Sequence, residues 1–325
     1  MRAHRWPAII AIAILSFAAM LLAGAARADW PDHPIKWVVP FGPGGANDLI
    51  ARAAAEAVGK RIGQPIIIDN KPGAGAVIGA DYVAKAKPDG YTWLIGAAGV
   101  VTNSMIRSDM PYADSDLVPV GMIAVAPSVI AVNPGVPVSN LKELIAWSKA
   151  QPGGVNWATA GGGSTPHFVA EMLREAGVVV TIVPYKSGAE GVTAVISNNV
   201  PATSEASIIV LPQVKGGKLK AIATTYTKRI TAYDTLPTAK EQGYPGVEIG
   251  HWAGLFAPKG TPAAIVERMS RELEAAVRSA DFRDKMVPTG IEPEPGTTAN
   301  FVTFITAERE RLGRLAKKAN MQADK

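Results

Sequence analysis

The sequence predicts an α/β protein of two lobes, each built on a mainly parallel sheet, and three observations carry that expectation. Short apolar, β-prone runs alternate with helix-length amphipathic runs along the chain. Glycine-rich turns stand at the ends of several strand-like runs. Once an N-terminal leader is set aside, about 297 residues remain, enough for two lobes and a large core.

Residues 1–28 read as a signal peptide. Arg2 and Arg5 form a basic n-region, and the apolar run Ile9 to Leu22 falls short of the ~20 residues a membrane-spanning helix needs. Ala26-Arg27-Ala28 then offers the small residues a signal peptidase reads, with Asp29 as the expected mature N-terminus. The sequence contains no cysteine, so disulfides, iron–sulfur clusters, thiol nucleophiles and lipobox anchoring are not expected. The leader carries three of the 33 Lys and Arg and no acid, so the formal charge falls from +5 to +2. That small excess points to neither a nucleic acid nor a membrane surface as partner.

The first unit sets the pattern. Ile35 to Val39 is a buried strand, and Pro40, Pro43, Gly44 and Gly45 then force a tight turn. Asn47 or Asp48 is expected to cap a helix over Leu49–Arg61, whose apolar stripe is Leu49, Ile50, Ala53, Ala57 and Val58. The pattern repeats with a strand at Pro65–Asp69, a glycine turn at Asn70–Ala76 and a helix from near Val77. Each strand–turn–helix unit leaves backbone N–H groups free at the carboxyl end of a sheet, where an anion is favoured. Two such turns at one sheet edge predict a binding crevice.

Tyr91–Ile95 follows as a strand, and the apolar run Val118–Val132, broken at Pro127, can cross into a second lobe. There the alternation continues, with helices at Asn140–Ala150, Pro166–Ala176, Ala189–Asn198 and Ser207–Gly217. Strands lie at Val155–Ala158, Val178–Pro184 and Ala221–Thr225. The chain is expected to return through Gly243–Gly250 to a strand at Trp252–Ala257. This gives a first lobe of 29–127 plus 248–325 and a second of 128–247. Two C-terminal helices, starting at Thr261-Pro262 and near Thr298, carry stripes that read as core-facing rather than as a membrane or coiled-coil surface. Those stripes are Ile265, Val266, Met269, Leu273, Ala276 and Val277, then Phe301, Phe304, Ile305, Leu312 and Leu315.

In the second lobe, Thr159–His167 forms a glycine turn in which Ser164 or Thr165 caps a helix opened by Pro166. Those hydroxyls and free N–H groups suit a carboxylate. Ser164 and His167 also invite a hydrolase reading, but the run is no Gly-x-Ser-x-Gly elbow. A serine and a histidine three apart at one helix start seldom align as nucleophile and base. No catalytic residue is therefore expected. Gly73–Gly79 is one residue too long for a dinucleotide fingerprint and follows a second strand, and no P-loop occurs, so no cofactor is expected. The histidines at 4, 33, 167 and 251 lack ligand spacing. Asp109, Asp114 and Asp116 lack the glycine and terminal glutamate of a calcium loop, so no metal is expected. Tyr185-Lys186-Ser187-Gly188 can be read from its residues as a surface turn.

Trp30-Pro31, Pro34-Ile35, Val38 to Phe41, Pro43-Gly44-Gly45, Asp48 and Ala51-Arg52 follow one another in the order of the Bug family. Gly63-Gln64-Pro65, Asn70, Pro72 to Gly75, Ile78-Gly79 and Pro88 to Thr92 continue the match over essentially the whole mature chain. The chain thus resembles the periplasmic solute-binding proteins of tripartite tricarboxylate transporters. The resemblance implies a two-lobe periplasmic-binding-protein fold of the Venus-flytrap, type II-like kind. It also implies a receptor that hands a small organic carboxylate to a large permease and a small subunit in the membrane; a monomer is the default expectation.

On this reading one carboxylate is held by backbone N–H groups of Phe41, Gly42, Gly44, Gly45, Asn47 and Asp48 and of Ala74, Gly75 and Ala76. Ser164 and Thr165 close from the other side. The resemblance adds His167, Tyr185 and Gly188 as cleft-lining residues. Three departures stand out: Lys186-Ser187-Gly188 replaces Tyr-Lys-Gly, Ala76 replaces a glycine, and Pro201 replaces a first acid while Glu205 stands where a second falls. Glu205 would repel a second carboxylate and accept an amine or hydroxyl, its alternative being a solvated residue at a helix start. The other functional readings are a periplasmic hydrolase using Ser164 and a ligand-sensing component for a sensor kinase.

Overall fold

The structure, a computed structural model, describes residues 30–321. The expected leader and its cleavage site lie outside the described residues. Three parallel strands open the fold: β1 (Ile35–Val39), β2 (Ile66–Asn70) and β3 (Thr92–Gly96). They are joined through helices α1 (Ala46–Ile62) and α2 (Val77–Ala84). Helix α3 (Ala98–Ile106) then leads to the long strand β4 (Leu117–Val132). Beyond β4 come helix α4 (Leu141–Ala150) and three more parallel strands, β5 (Val155–Thr159), β6 (Val180–Pro184) and β7 (Ala202–Ala206). Helices α5 (Thr165–Glu175) and α6 (Gly188–Ile196) separate those strands, and α7 (Ser207–Lys215) follows them. Strands β8 (Lys220–Thr224) and β9 (Gly250–Pro258), helices α8 (Ala263–Arg278) and α9 (Ala280–Met286), the short β10 (Glu292–Pro293) and α10 (Thr298–Lys318) complete the chain.

The strands form one mixed sheet in the order β2-β1-β3-β9-β4-β7-β5-β6, with β8 and β10 also paired to β4. The parallel expectation holds within β1–β3 and within β5–β7. Strands β4, β8, β9 and β10 pair antiparallel where they meet. Strand β4 belongs to both halves: Leu117 to Pro127 pairs with β9, and Ser128 to Val132 pairs with β7. A nearly uninterrupted apolar sequence suits a strand buried over almost its whole length.

Three local readings are corrected. Helix α1 begins at Ala46 with Gly45 as its cap, so Asn47 and Asp48 lie in the first turn instead of capping it. Helix α3 is missing from the sequence reading because Ala97, before it, offers no polar cap. Residues Ala202–Ala206 are a strand, so Glu205 is a buried strand residue and not a solvated helix-start one. The C-terminal stripes behave as read: Met269, Leu273, Ala276 and Val277 of α8 and Phe301, Leu312 and Leu315 of α10 are buried. Thr297 caps α10 by accepting the Asn300 N–H at 3.2 Å.

The pairing registers position the loops. Strand β7 runs against β4 and ends with Ala206 opposite Ser128. Strand β3 runs against β9, which runs against β4, so the β3 end at Gly96 also points toward the β4 midpoint. Both sets of parallel strands therefore aim their carboxyl ends, and the glycine turns that follow, at the stretch around Pro127 and Ser128. A second connection lies beside the crossing. Thr231 donates its N–H and hydroxyl to the two oxygens of Glu292 at 2.8 and 3.1 Å, and the Tyr226 hydroxyl bonds Glu294.

Candidate functional site

The turn after β1 is shaped by Asp48. Its Oδ2 accepts the Gly44 N–H at 2.9 Å and Arg52 Nε at 3.0 Å, and its Oδ1 accepts Asn70 Nδ2 at 2.9 Å. The Asn70 amide also donates to the Phe41 carbonyl at 3.0 Å, which ties the turn after β1 to the turn after β2. Burial works to raise the Asp48 pKa, but Arg52, the Gly44 N–H and Asn70 outweigh it and hold the carboxyl below its ordinary range. Asp48 thus spends its oxygens on the turn. Asn47 is buried and donates Nδ2 to the Trp252 carbonyl at 3.1 Å, docking α1 on β9. Gly42 and Gly44 are exposed, Phe41 and Gly45 half-buried, and the first N–H groups of α1 have no partner within the helix.

Four successive residues in the turn after β2 take positive φ, 134° at Gly73, 49° at Ala74, 63° at Gly75 and 82° at Ala76. Two of these four are alanines, for which such angles are strained. Packing holds them in place. Asn103 Nδ2 of α3 donates to the Gly75 carbonyl at 2.7 Å, and a Cβ on Gly99 would stand 2.8 Å from that same oxygen.

Across the crevice, Gly161 and Gly163 take φ of 89° and 75°, and α5 starts after Ser164. The Ser164 hydroxyl donates to the Gly161 carbonyl at 2.7 Å, so its proton serves the turn. His167 Nδ1 accepts the Gly163 N–H at 3.2 Å, and its Nε2 lies 3.7 Å from Glu171 Oε1. Serine and histidine are therefore each engaged by a different part of the turn, and no nucleophile–base pair forms between them. Thr165 is buried at the head of α5. Gly163 packs against α3 of the other half, where its Cβ would meet Ile106 Cδ1 at 2.5 Å.

The last two turns meet over Glu205. Tyr185 N–H donates to the Thr159 carbonyl at 2.9 Å, and Ser187 caps α6 by accepting the Glu190 N–H at 3.2 Å. A Cβ on Gly188 would overlap Glu205 Oε2, so only glycine fits there without moving the carboxylate. Oε1 of Glu205 accepts the Ala206 N–H at 2.8 Å and lies 3.3 Å from Nε2 of His251 on β9. No motif surrounds His251, and the sequence offers it only as a metal ligand that lacks partners at ligand spacing. Its pairing opposite Ala126, close to where β7 pairs with β4, brings it to Glu205. Among the described residues no group of three or more acids and histidines could hold a metal.

The family model described as "Tripartite tricarboxylate transporter family receptor" matches residues 50–321. The chain is 33% identical over 308 residues to the protein BugT of Bordetella pertussis, covering 93% of this chain and 94% of that one. Among solved structures it resembles the periplasmic binding protein BugD, with a TM-score of 0.82, 32% identity and coverage of 91% and 100%. It also resembles R. palustris Rpa4515, solved with adipate, with a TM-score of 0.85, 33% identity and coverage of 90% and 99%.

Proposed function

The chain belongs to the tripartite tricarboxylate transporter receptor family, and on that premise we propose that it captures a small organic carboxylate in the periplasm for a membrane transporter. It is a receptor and not an enzyme. The observation that carries the ligand class is the convergence of two helix starts, α1 after Gly45 and α5 after Ser164, on the β4 midpoint. Helix N-termini carry unpaired N–H groups and the positive end of the helix dipole, and both favour a carboxylate. The adipate held by the R. palustris relative supports the same class.

Within the crevice, N–H groups of the 41–48 and 74–76 turns take one carboxylate, directly or through water, except those of Gly44 and Ala76, which donate to Asp48 and to the Gly73 carbonyl; the Gly161–Thr165 turn faces it from the second lobe. Asp48 and Asn47 act by shaping that grip, since their polar atoms bond to Gly44, Arg52, Asn70 and Trp252. The lobes are 29–127 plus 248–325 and 128–247, with β4 and the 243–250 return as the links. The monomeric, exported chain begins after Ala28, and its membrane partners are a large permease and a small subunit. A thermal-shift screen over organic acids tests the reading. A ligand present at about 1,000 times its Kd adds about 4 kcal/mol, which raises the unfolding temperature by several degrees. Absence of any shift across mono-, di- and tricarboxylates would overturn it.

A further inference from the structure

We propose that Glu205, set against His251 across the β4 midpoint, is the selective end of the crevice: it takes the hydroxyl or ammonium of a ligand and rejects a second carboxylate. This rests on the carboxylate reading above and assigns the ligand's other end. The geometry is a chain of contacts running from one helix start to another. Asn47 in the first turn of α1 donates to the Trp252 carbonyl, next to His251. His251 Nε2 lies 3.3 Å from Glu205 Oε1, and Glu205 Oε2 lies under Gly188, the first residue of α6. The pair is enclosed, with side-chain exposure of 12% for His251 and 7% for Glu205. Shielded from water, a carboxylate repels a like charge and binds a donor more strongly than it does at the surface.

Three features make this a built acceptor. Gly188 leaves no room for a side chain, so α6 starts against the carboxylate itself. The Ala206 N–H fixes Oε1 and leaves Oε2 as the oxygen directed at the α6 turn. His251 sits beside the acid without bonding to it in good geometry. Burial pushes its imidazole pKa down against the opposing pull of Glu205, and its buried Nε2 makes no well-aligned hydrogen bond. An acidic side chain thus closes one end of the crevice, while the helix starts supply the positive potential at the other end. A ligand with one carboxylate and one donor matches both ends; a dicarboxylate matches one.

The test is calorimetry on two matched series: butyrate, 4-hydroxybutyrate, 4-aminobutyrate and succinate, and hexanoate, 6-hydroxyhexanoate, 6-aminohexanoate and adipate. The wild type is expected to bind the hydroxy or amino acid of a series more tightly than its diacid. Glu205→Gln keeps the shape and removes the charge. It should shift the ratio of diacid to amino-acid affinity toward the diacid by about tenfold or more, with the plain mono-acid changed far less. Gly188→Ala, which keeps the charge but displaces the carboxylate, should shrink the same discrimination. Unfolding temperatures of both variants show that they fold. An unchanged ranking in both folded variants overturns the selector, as does a wild type that prefers the diacid. Failure of every acid to bind the wild type overturns the carboxylate reading itself, and the selector with it.

Discussion

Asp48 illustrates how one residue fixes a loop that binds through its backbone. Its carboxylate joins Gly44, Arg52 and Asn70, and so sets the angle of the β1 turn against the β2 turn. The side chain is 2% exposed while Arg52 is half-exposed, so the value of the ion pair is reduced by solvent and most of the effect lies in the hydrogen bonds. Asp48→Ala is expected to cost about 2 kcal/mol in urea unfolding at neutral pH. The folded pKa lies below the ordinary 3.8, so the stabilisation is fully present above that value and is lost as pH falls through the folded pKa. The gap between wild type and variant should therefore hold from about pH 7 to pH 5 and narrow below about pH 4, and a constant gap would assign the effect to packing instead. Asp48 was legible as a helix-start residue. Its bond to Asn70 was not, because Asn70 ends strand β2, on the far side of helix α1.

At the scale of elements, α10 docks through Phe301 into one of two neighbouring hollows in the sheet. Gly96 of β3 pairs with Gly254 of β9, and each lies under a phenyl ring. A Cβ at Gly254 would run into Phe301 Cζ, and one at Gly96 would run into Phe256 Cε2. The two rings meet edge to face at 5.3 Å between centroids, with Trp252 also 5.9 Å from Phe301. Phe301→Ala should cost about 3–5 kcal/mol. Gly254→Ala alone should also destabilise through overpacking, by about 1–3 kcal/mol. In the Phe301→Ala background the glycine change should become nearly neutral, because the colliding ring is gone. Additive losses in denaturant unfolding would show that the two positions are not coupled. Phe301 was legible as a core residue from its helical stripe, whereas the hollow that receives it depends on two strands far apart in sequence.

For the whole molecule, the decisive feature is how the two halves are joined. Strand β4 crosses once at Pro127–Ser128, the chain returns before β9, and Thr231 with Glu292 ties a second-half loop to β10. On the crevice side, Gly163 reaches Ile106 of α3 through apolar contact. Rotation about the β4 midpoint is expected to open that contact while preserving both sheets. Small-angle scattering should give a smaller radius of gyration at saturating carboxylate than without it. An unchanged radius at saturation would argue against hinge closure. Replacing both strap partners, Thr231→Val with Glu292→Gln, should alter the affinity of every acid in parallel and leave their ranking intact. That pattern is the opposite of the one expected at Glu205.

The strand–glycine turn–helix units could be read from the sequence alone because their causes are local: proline and glycine restrict φ, and apolar periodicity marks the buried faces. The order of those units along the chain carried the family resemblance. Where local signals were weak, the reading failed. Ala202–Ala206 contains one β-branched residue, and α3 begins without a polar cap, so neither was recognised. Tertiary structure alone decided which turns face one another and which side chains meet. Asn47 bonds to a carbonyl 205 positions away, and His251 reaches Glu205 only because β9 and β7 both pair with β4 near its midpoint. No short-range pattern encodes such a meeting, because it is set by strand register, a property of the assembled sheet.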